Sequence, residues 1–138
     1  MKAHPHAILI ERCYLAFADG ELDGLRDAVA DDVVWHEPGR SPVAGDYKGP
    51  AGIAEFLTRL RTLSGDTLAV ELIDVMVNAA RAVAVQRITA RLGERTLDTI
   101  DALDFEIHNG RITEVSVYQQ DAYAFDEFWT AAARADSG

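Results

Sequence analysis

Two carboxyl groups and a histidine stand on segments that read as strands, where alternation decides which of them faces an interior. Asp101 lies in Arg95–Ile107, RTLDTIDALDFEI. With a period of two, Leu97, Thr99, Asp101, Leu103, Phe105 and Ile107 share one face, and Thr96, Asp98, Ile100, Ala102, Asp104 and Glu106 the other. Asp101 therefore sits among apolar neighbours on the face that should be buried. Burial disfavours the charged form, so a carboxyl there must find partners or titrate above its ordinary range. Such groups are candidates for acid–base work. An Asp bonded to the next strand, or a bulge that turns it outward, would give the same pattern. Glu37 ends Val33-Val34-Trp35-His36-Glu37, a strand stopped by Pro38-Gly39. An ionised carboxylate can take an acidic proton from carbon next to a carbonyl, while a protonated carboxyl donates to the developing enolate. Glu37 is the expected base of such a pair, with His36 as the alternative, and Asp101 the acid. His36 alternates with Glu37, so one should point in and the other out.

The elements that must hold these groups follow from pattern and punctuation. After Pro5, Ile10, Cys13, Tyr14 and Phe17 recur at helical spacing, ended by Asp19-Gly20. A short second helix is expected at about Leu22–Val29. Gly39–Gly49 reads as loop, and Pro50 opens a helix to about Leu63 whose stripe is Ile53, Phe56, Leu57, Leu60 and Leu63. Three long strands follow, at about Thr67–Val77, Arg81–Leu92 and Arg95–Ile107. Asn109-Gly110 is the strongest hairpin signal and leads into Arg111–Gln119. Asp121 is placed to cap a last helix, about Ala122–Arg134, and residues 135–138 read as a flexible tail. The order predicts one α+β domain over 1–138. In it, a curved antiparallel sheet carries three helices from the N-terminal half over a pocket, with a C-terminal helix added. Tyr14, Trp35, Phe56, Tyr118 and Trp129 would line or floor that pocket, or simply fill a core.

Composition narrows the class. The 138 residues carry a formal net charge of −10, which argues against nucleic acid and anionic membranes as partners. One cysteine, Cys13, allows no internal disulfide and suits a reducing cytoplasm. The N-terminal apolar run is short and broken by Glu11 and Arg12, so no signal peptide is expected, and no stretch is long enough to span a bilayer. Histidines and acids show no metal-ligand spacing, and there is no P-loop, dinucleotide glycine fingerprint or nucleophile elbow. The chemistry expected is cofactor-independent and cytoplasmic.

The progression Asp19-Gly20, Ala30-Asp31-Asp32, Trp35-His36-Glu37-Pro38-Gly39 and Gly45-Asp46-Tyr47-Lys48-Gly49 through Phe56 resembles the SnoaL-like branch of the NTF2-like superfamily, over about Ile8–Phe128. That branch includes ketosteroid isomerases, polyketide cyclases and limonene-type epoxide hydrolases. The resemblance implies a ketosteroid isomerase-like pair: Glu37 before Pro38 as base, and Asp101 in Leu97-Asp98-Thr99-Ile100-Asp101 as a protonated donor. The family's tyrosine donor falls in register on Cys13, with Tyr14 one position along. The epoxide hydrolase branch instead implies an arginine at Arg87 and an aspartate at Asp121, with Thr89 in the place of the other aspartate. The expected ligand is a hydrophobic, carbonyl-bearing small molecule, isomerised or cyclised, with Tyr14, Trp35, Phe56, Arg87, Tyr118 and Asp121 as contacts. The alternative is a non-catalytic binding or dimerisation module on the same scaffold. A homodimer is expected through an apolar outer sheet face, with Leu92, Ile100 and Val115 as candidates.

Overall fold

The computed structural model describes residues 4–137. Helix α1 spans Pro5–Ala18, with Pro5 in its first turn, where a missing N–H costs nothing. Arg61 secures its far end by donating to the Phe17 carbonyl and lying over the Phe17 ring. One turn, α2 (Asp23–Arg26), leads into β1 (Val29–Glu37). A short strand β2 (Gly45–Lys48) and helix α3 (Gly49–Leu63) follow, then β3 (Ala69–Val77), β4 (Arg81–Leu92), β5 (Arg95–His108), β6 (Arg111–Gln119) and α4 (Ala122–Ser137). The six strands form one sheet in the order β2-β1-β6-β5-β4-β3.

The long meander is built as its pattern predicts. In β5 the positions Leu97, Thr99, Asp101, Leu103, Phe105 and Ile107 are all buried. Asn109 and Gly110 both take positive φ, 53° and 77°, as a two-residue hairpin turn requires. Helix α3 buries Ile53, Phe56, Leu57, Leu60 and Leu63 against this sheet, the stripe expected from spacing.

Several boundaries differ, each for a local reason. β2 lies inside the segment read as loop, because four residues among glycines give too short a pattern to register; it pairs antiparallel with β1, Trp35 opposite Tyr47. β1 starts earlier than expected and carries the exposed Asp31 and Asp32 through an irregularity in its ladder. The second helix is a single turn. One pair is parallel: β1 runs alongside β6, Trp35 beside Val115, so the sheet is mixed. α4 continues to Ser137, and of the expected tail only Gly138 lies outside the described residues. Two candidates for an outer apolar face belong instead to the interior. Val115 is buried, and Leu92 packs on the core, since it shares the parity of Ala84 and Ala90.

Candidate functional site

Strand alternation delivers four polar side chains to one row across the concave face. Gln86, Asp101 and Gln119 occupy directly paired positions on β4, β5 and β6. Glu37 joins them from β1, where Val33, Trp35 and Glu37 face inward and Val34 and His36 outward. The Tyr14 hydroxyl, from α1, donates to Gln86 Oε1 at 2.6 Å, and Gln86 Nε2 donates a long 3.4 Å bond to Asp101 Oδ2. At the other end Gln119 Nε2 donates to Glu37 Oε2 at 3.2 Å, and Trp35 Nε1 to Glu37 Oε1 at 3.0 Å. Asp101 Oδ1 and Gln119 Oε1 are buried without a hydrogen-bond partner.

Both carboxyls of the site titrate well above their ordinary range. Asp101 is 2% exposed and Glu37 6%. Burial pushes Asp101 up to about 6, against a smaller opposing effect of the Gln86 amide. Burial pushes Glu37 further, to about 8, aided by the charges of Asp101 and Asp126 and opposed by the N–H donors of Trp35 and Gln119. Gln119→Leu removes one of those donors, each of which stabilises the ionised form. Glu37 should then titrate roughly one unit higher in a carboxyl NMR titration, whereas an unchanged titration would mean the bond carries no weight.

Both acids line a cavity of about 100 Å³ between the sheet and helices α1 and α3. Its other walls include Phe17, Phe56, Leu60, Leu103 and Phe125. Trp35 is half-buried there, and its ring and that of Tyr47 pack on Phe56 at centroid distances of 5.5 and 4.3 Å. Cys13 and Tyr14 both reach the cavity, so the two registers left open by the sequence are both occupied. Burial raises the Cys13 thiol to about 11, which keeps it protonated and poorly nucleophilic. It also lifts the Tyr14 phenol well above its ordinary range, with the Asp101 charge adding to the effect.

The Glu37 end is held by the loop that follows it. Asp126, on α4, accepts from the backbone N–H groups of Arg40 and Ser41. Gly39, at φ +105°, passes so close that a Cβ would collide with the Asp126 carboxylate. Gly39→Ala should cost about 1–3 kcal/mol from backbone strain alone, more with the collision. Chemical denaturation that found no loss would refute this reading of the loop.

Four expected site residues lie elsewhere. His36 points to the opposite sheet face, where Nδ1 meets Asp46 at 2.8 Å and Nε2 meets Glu114 at 2.6 Å; the two carboxylates raise its pKa. Arg87 has the parity opposite to Gln86 and forms a two-pronged exposed pair with Asp98, at 2.8 and 2.6 Å. Asp121 caps α4 through the Ala124 N–H at 3.0 Å. Tyr118 is 61% exposed because the irregularity near Ile112 resets the strand so that Val115 and Val117 face inward. The arrangement implied for epoxide hydrolysis is therefore not assembled, since neither Arg87 nor Asp121 reaches the cavity. Trp129 is fully buried edge-on to Phe128, in the core. Among the described residues no three His, Cys, Asp or Glu side chains group to hold a metal ion, and no helix is long and apolar enough to cross a membrane.

Gln86 and Gln119 were not singled out from sequence. The signal for Gln86 was present, as one polar position in the inward set Ala82, Ala84, Gln86, Ile88 and Ala90.

The model of the SnoaL-like domain matches residues 10–115, most of the chain and all the strands of the site but the end of β6. The chain belongs to the SnoaL-like family. Its sheet and helices form the α+β cone of NTF2-like proteins, the fold of an NTF2-like protein from Burkholderia xenovorans LB400 at 20% identity and a TM-score of 0.75, covering 91% of this chain and 98% of that one. An uncharacterised protein of Mycobacterium tuberculosis is 32% identical over 122 residues, 88% of this chain and 93% of its own. The structure of Bal32a, from a soil-derived mobile gene cassette, superposes with a TM-score of 0.87 at 34% identity, covering 91% of this chain and 96% of that one. A candidate SnoaL-like polyketide cyclase from Jannaschia sp. CCS1 shares the fold at 16% identity and a TM-score of 0.76, covering 95% and 98%.

Proposed function

We propose that this SnoaL-like cavity carries out cofactor-independent acid–base chemistry, of the isomerase or cyclase kind, on a hydrophobic molecule bearing a carbonyl group. The observation that carries the proposal is the pair of buried carboxyls with unequal pKa values in an otherwise apolar cavity. Near neutral pH Asp101, at about 6, is mostly ionised, and Glu37, at about 8, mostly protonated. That ordering favours the reverse of the division expected from sequence. Asp101 is the base, with Oδ1 free of other partners, and Glu37 is the acid. Asp101 Oδ1 takes a proton from the carbon next to the carbonyl, and the C–H electrons move into the carbonyl to give an enolate. The Glu37 hydroxyl donates to the enolate oxygen. Returning the proton to another carbon completes an isomerisation, and attack of the enolate carbon on a second carbonyl completes a cyclisation. Both acids are fixed on strands, which keeps their geometry precise.

The test is α-proton exchange into D2O, followed by NMR across a panel of enolisable ketones. Exchange accelerated by the protein, and lost in Asp101→Asn, is the expected result. No acceleration on any ketone that binds would defeat the proposal.

A second reading has one observation in its favour. Both Glu37 oxygens already accept hydrogen bonds, as in a pocket built to hold a ligand unchanged. It predicts saturable binding, and recovery of the ligand intact after long incubation. The exposed Met76 and Tyr118 on the outer sheet face support the expected homodimer; sedimentation showing only a 15.1 kDa species would remove it.

A further inference from the structure

We infer that the cavity selects its ligand by charge and by size: the molecule it takes carries no negative charge and is no larger than about one substituted six-membered ring. The inference rests on the acid–base reading only for the carbonyl; the selection itself follows from the walls.

The charge argument starts from what lines the space. Two carboxyls face it, and none of the lining residues is Lys, Arg or His. The remaining polar walls are the Tyr14 hydroxyl, the Cys13 thiol, the Gln86 amide and the Trp35 indole N–H, all uncharged. Tyr14 and Gln86 are already committed, the hydroxyl to Gln86 and the amide nitrogen to Asp101. A carboxylate or phosphate entering this space would leave its hydration shell and meet no cation. It would also lie beside Asp101 in a medium that screens poorly. An uncharged carbonyl compound meets no such penalty. It can accept from one acid and present an acidic C–H to the other. Arg61, which lies over the ring of the lining residue Phe17, is engaged by the Phe17 carbonyl at the end of α1.

The size argument starts from the volume. About 100 Å³ of open space is less than the order of 150 Å³ at which an apolar cavity accepts benzene, so a single ring already fills it and its substituents must lie toward the opening. The aromatic walls Phe56 and Phe125 are 2% and 1% exposed and packed on other rings. Enlarging the space at that end would mean moving several packed side chains together. Most of the partly exposed lining residues, among them Cys13, Phe17, Leu25 and Leu68, lie on α1, on α2 and about the start of β3. The space therefore opens chiefly on that side, with Asp101 and Glu37 buried and the partly exposed Trp35 beside Glu37. A fused four-ring skeleton cannot bring its reacting carbon to Asp101 without displacing this packing.

Isothermal titration calorimetry on the full chain at pH 7 tests both halves with matched probes. For charge, 3-oxocyclohexane-1-carboxamide is compared with 3-oxocyclohexane-1-carboxylate. The carboxamide should bind at least about 30-fold more tightly. In the Glu37→Gln/Asp101→Asn double variant the gap should narrow by at least about 5-fold, the part due to the Asp101 charge, while the part due to lost hydration remains. Circular dichroism and the melting temperature check that the variant is folded. For size, cyclohexanone is compared with 2-decalone and a four-ring steroid ketone, with affinity per non-hydrogen atom falling at each step and the steroid at least about 10-fold weaker than 2-decalone. Equal affinity for carboxamide and carboxylate overturns the charge half, and so does a gap left unchanged in the double variant. A steroid that binds as well as the smaller ketones overturns the size half. These readouts are separate from turnover. Small neutral ketones that bind as described but exchange no protons would sink the acid–base reading and leave the selection standing. Rapid exchange on a steroid would do the opposite.

Discussion

Asp101→Asn should lower kcat/KM on an exchanging ketone by about 10²–10⁴-fold, the usual contribution of a positioned general base. The substitution keeps the side chain's shape and can still accept from Gln86, so folding should survive. What it removes is an ionisable group at about 6. The wild-type pH profile should therefore be a bell. It rises as Asp101 ionises through about 6 and falls as Glu37 loses its proton through about 8. In Asp101→Asn the residual rate should lose the acidic limb and keep the alkaline one. A variant that kept both limbs, or the wild-type rate, would remove Asp101 from the chemistry.

Glu37→Gln should make the protein more stable in alkali while slowing it by about 10²-fold or more. The sign follows from linkage. The folded-state pKa of Glu37 is about 8, against an ordinary 4.5, so between those values the native state holds a proton that the unfolded chain has released. Stability from this group is fully present below about 4.5 and is lost as pH rises through 8. At about 1.36 kcal/mol per pH unit, the ionised buried carboxylate costs on the order of 3–5 kcal/mol at pH 9. The amide carries no such cost. Turning over the Gln119 side chain would let its unpartnered Oε1 accept from the introduced NH2 group. Allowing for imperfect hydrogen bonding, a net gain of about 1–3 kcal/mol is expected at pH 9, and almost none at pH 5. Melting temperatures measured across that range give the answer; a variant destabilised at both pH values would show that Glu37 is a structural carboxylate.

Much of this site is legible in the chain because strands obey a rigid parity. Asp101 could be placed indoors from its neighbours alone, and the same rule, applied to β4, would have found Gln86. The rule fails where an irregularity intervenes. Near Ile112 the ladder shifts, and a residue count that runs through the shift puts Tyr118 in the pocket and Val115 outside, the reverse of what is found. His36 and Glu37 show another limit. Alternation says that one points in, and only the pairing of β1 between β2 and β6 says which. The proposed division of labour between the two acids is not readable at all, because it depends on how deeply each is buried and on which N–H groups reach it. Those are three-dimensional quantities. Resemblance misled in the same way at Arg87 and Asp121, which have the right residue types but neighbours that draw them to Asp98 and to the start of α4.

The parallel seam between β1 and β6 has a consequence for synthesis. The partner of Val29–Glu37 along one edge is Ile112–Ser116, some eighty positions later. While the ribosome is still delivering the meander, β1 has only the short β2 beside it, and Val33 and Trp35 lack the surface that will cover them. Closing so long a loop is slow, and the waiting edge is sticky. A nascent chain halted before Gln119 would hold Asp101 already paired with Gln86 across two finished strands, with Glu37 still adrift. The row of polar side chains would thus be complete only when the last strand slots in beside the first.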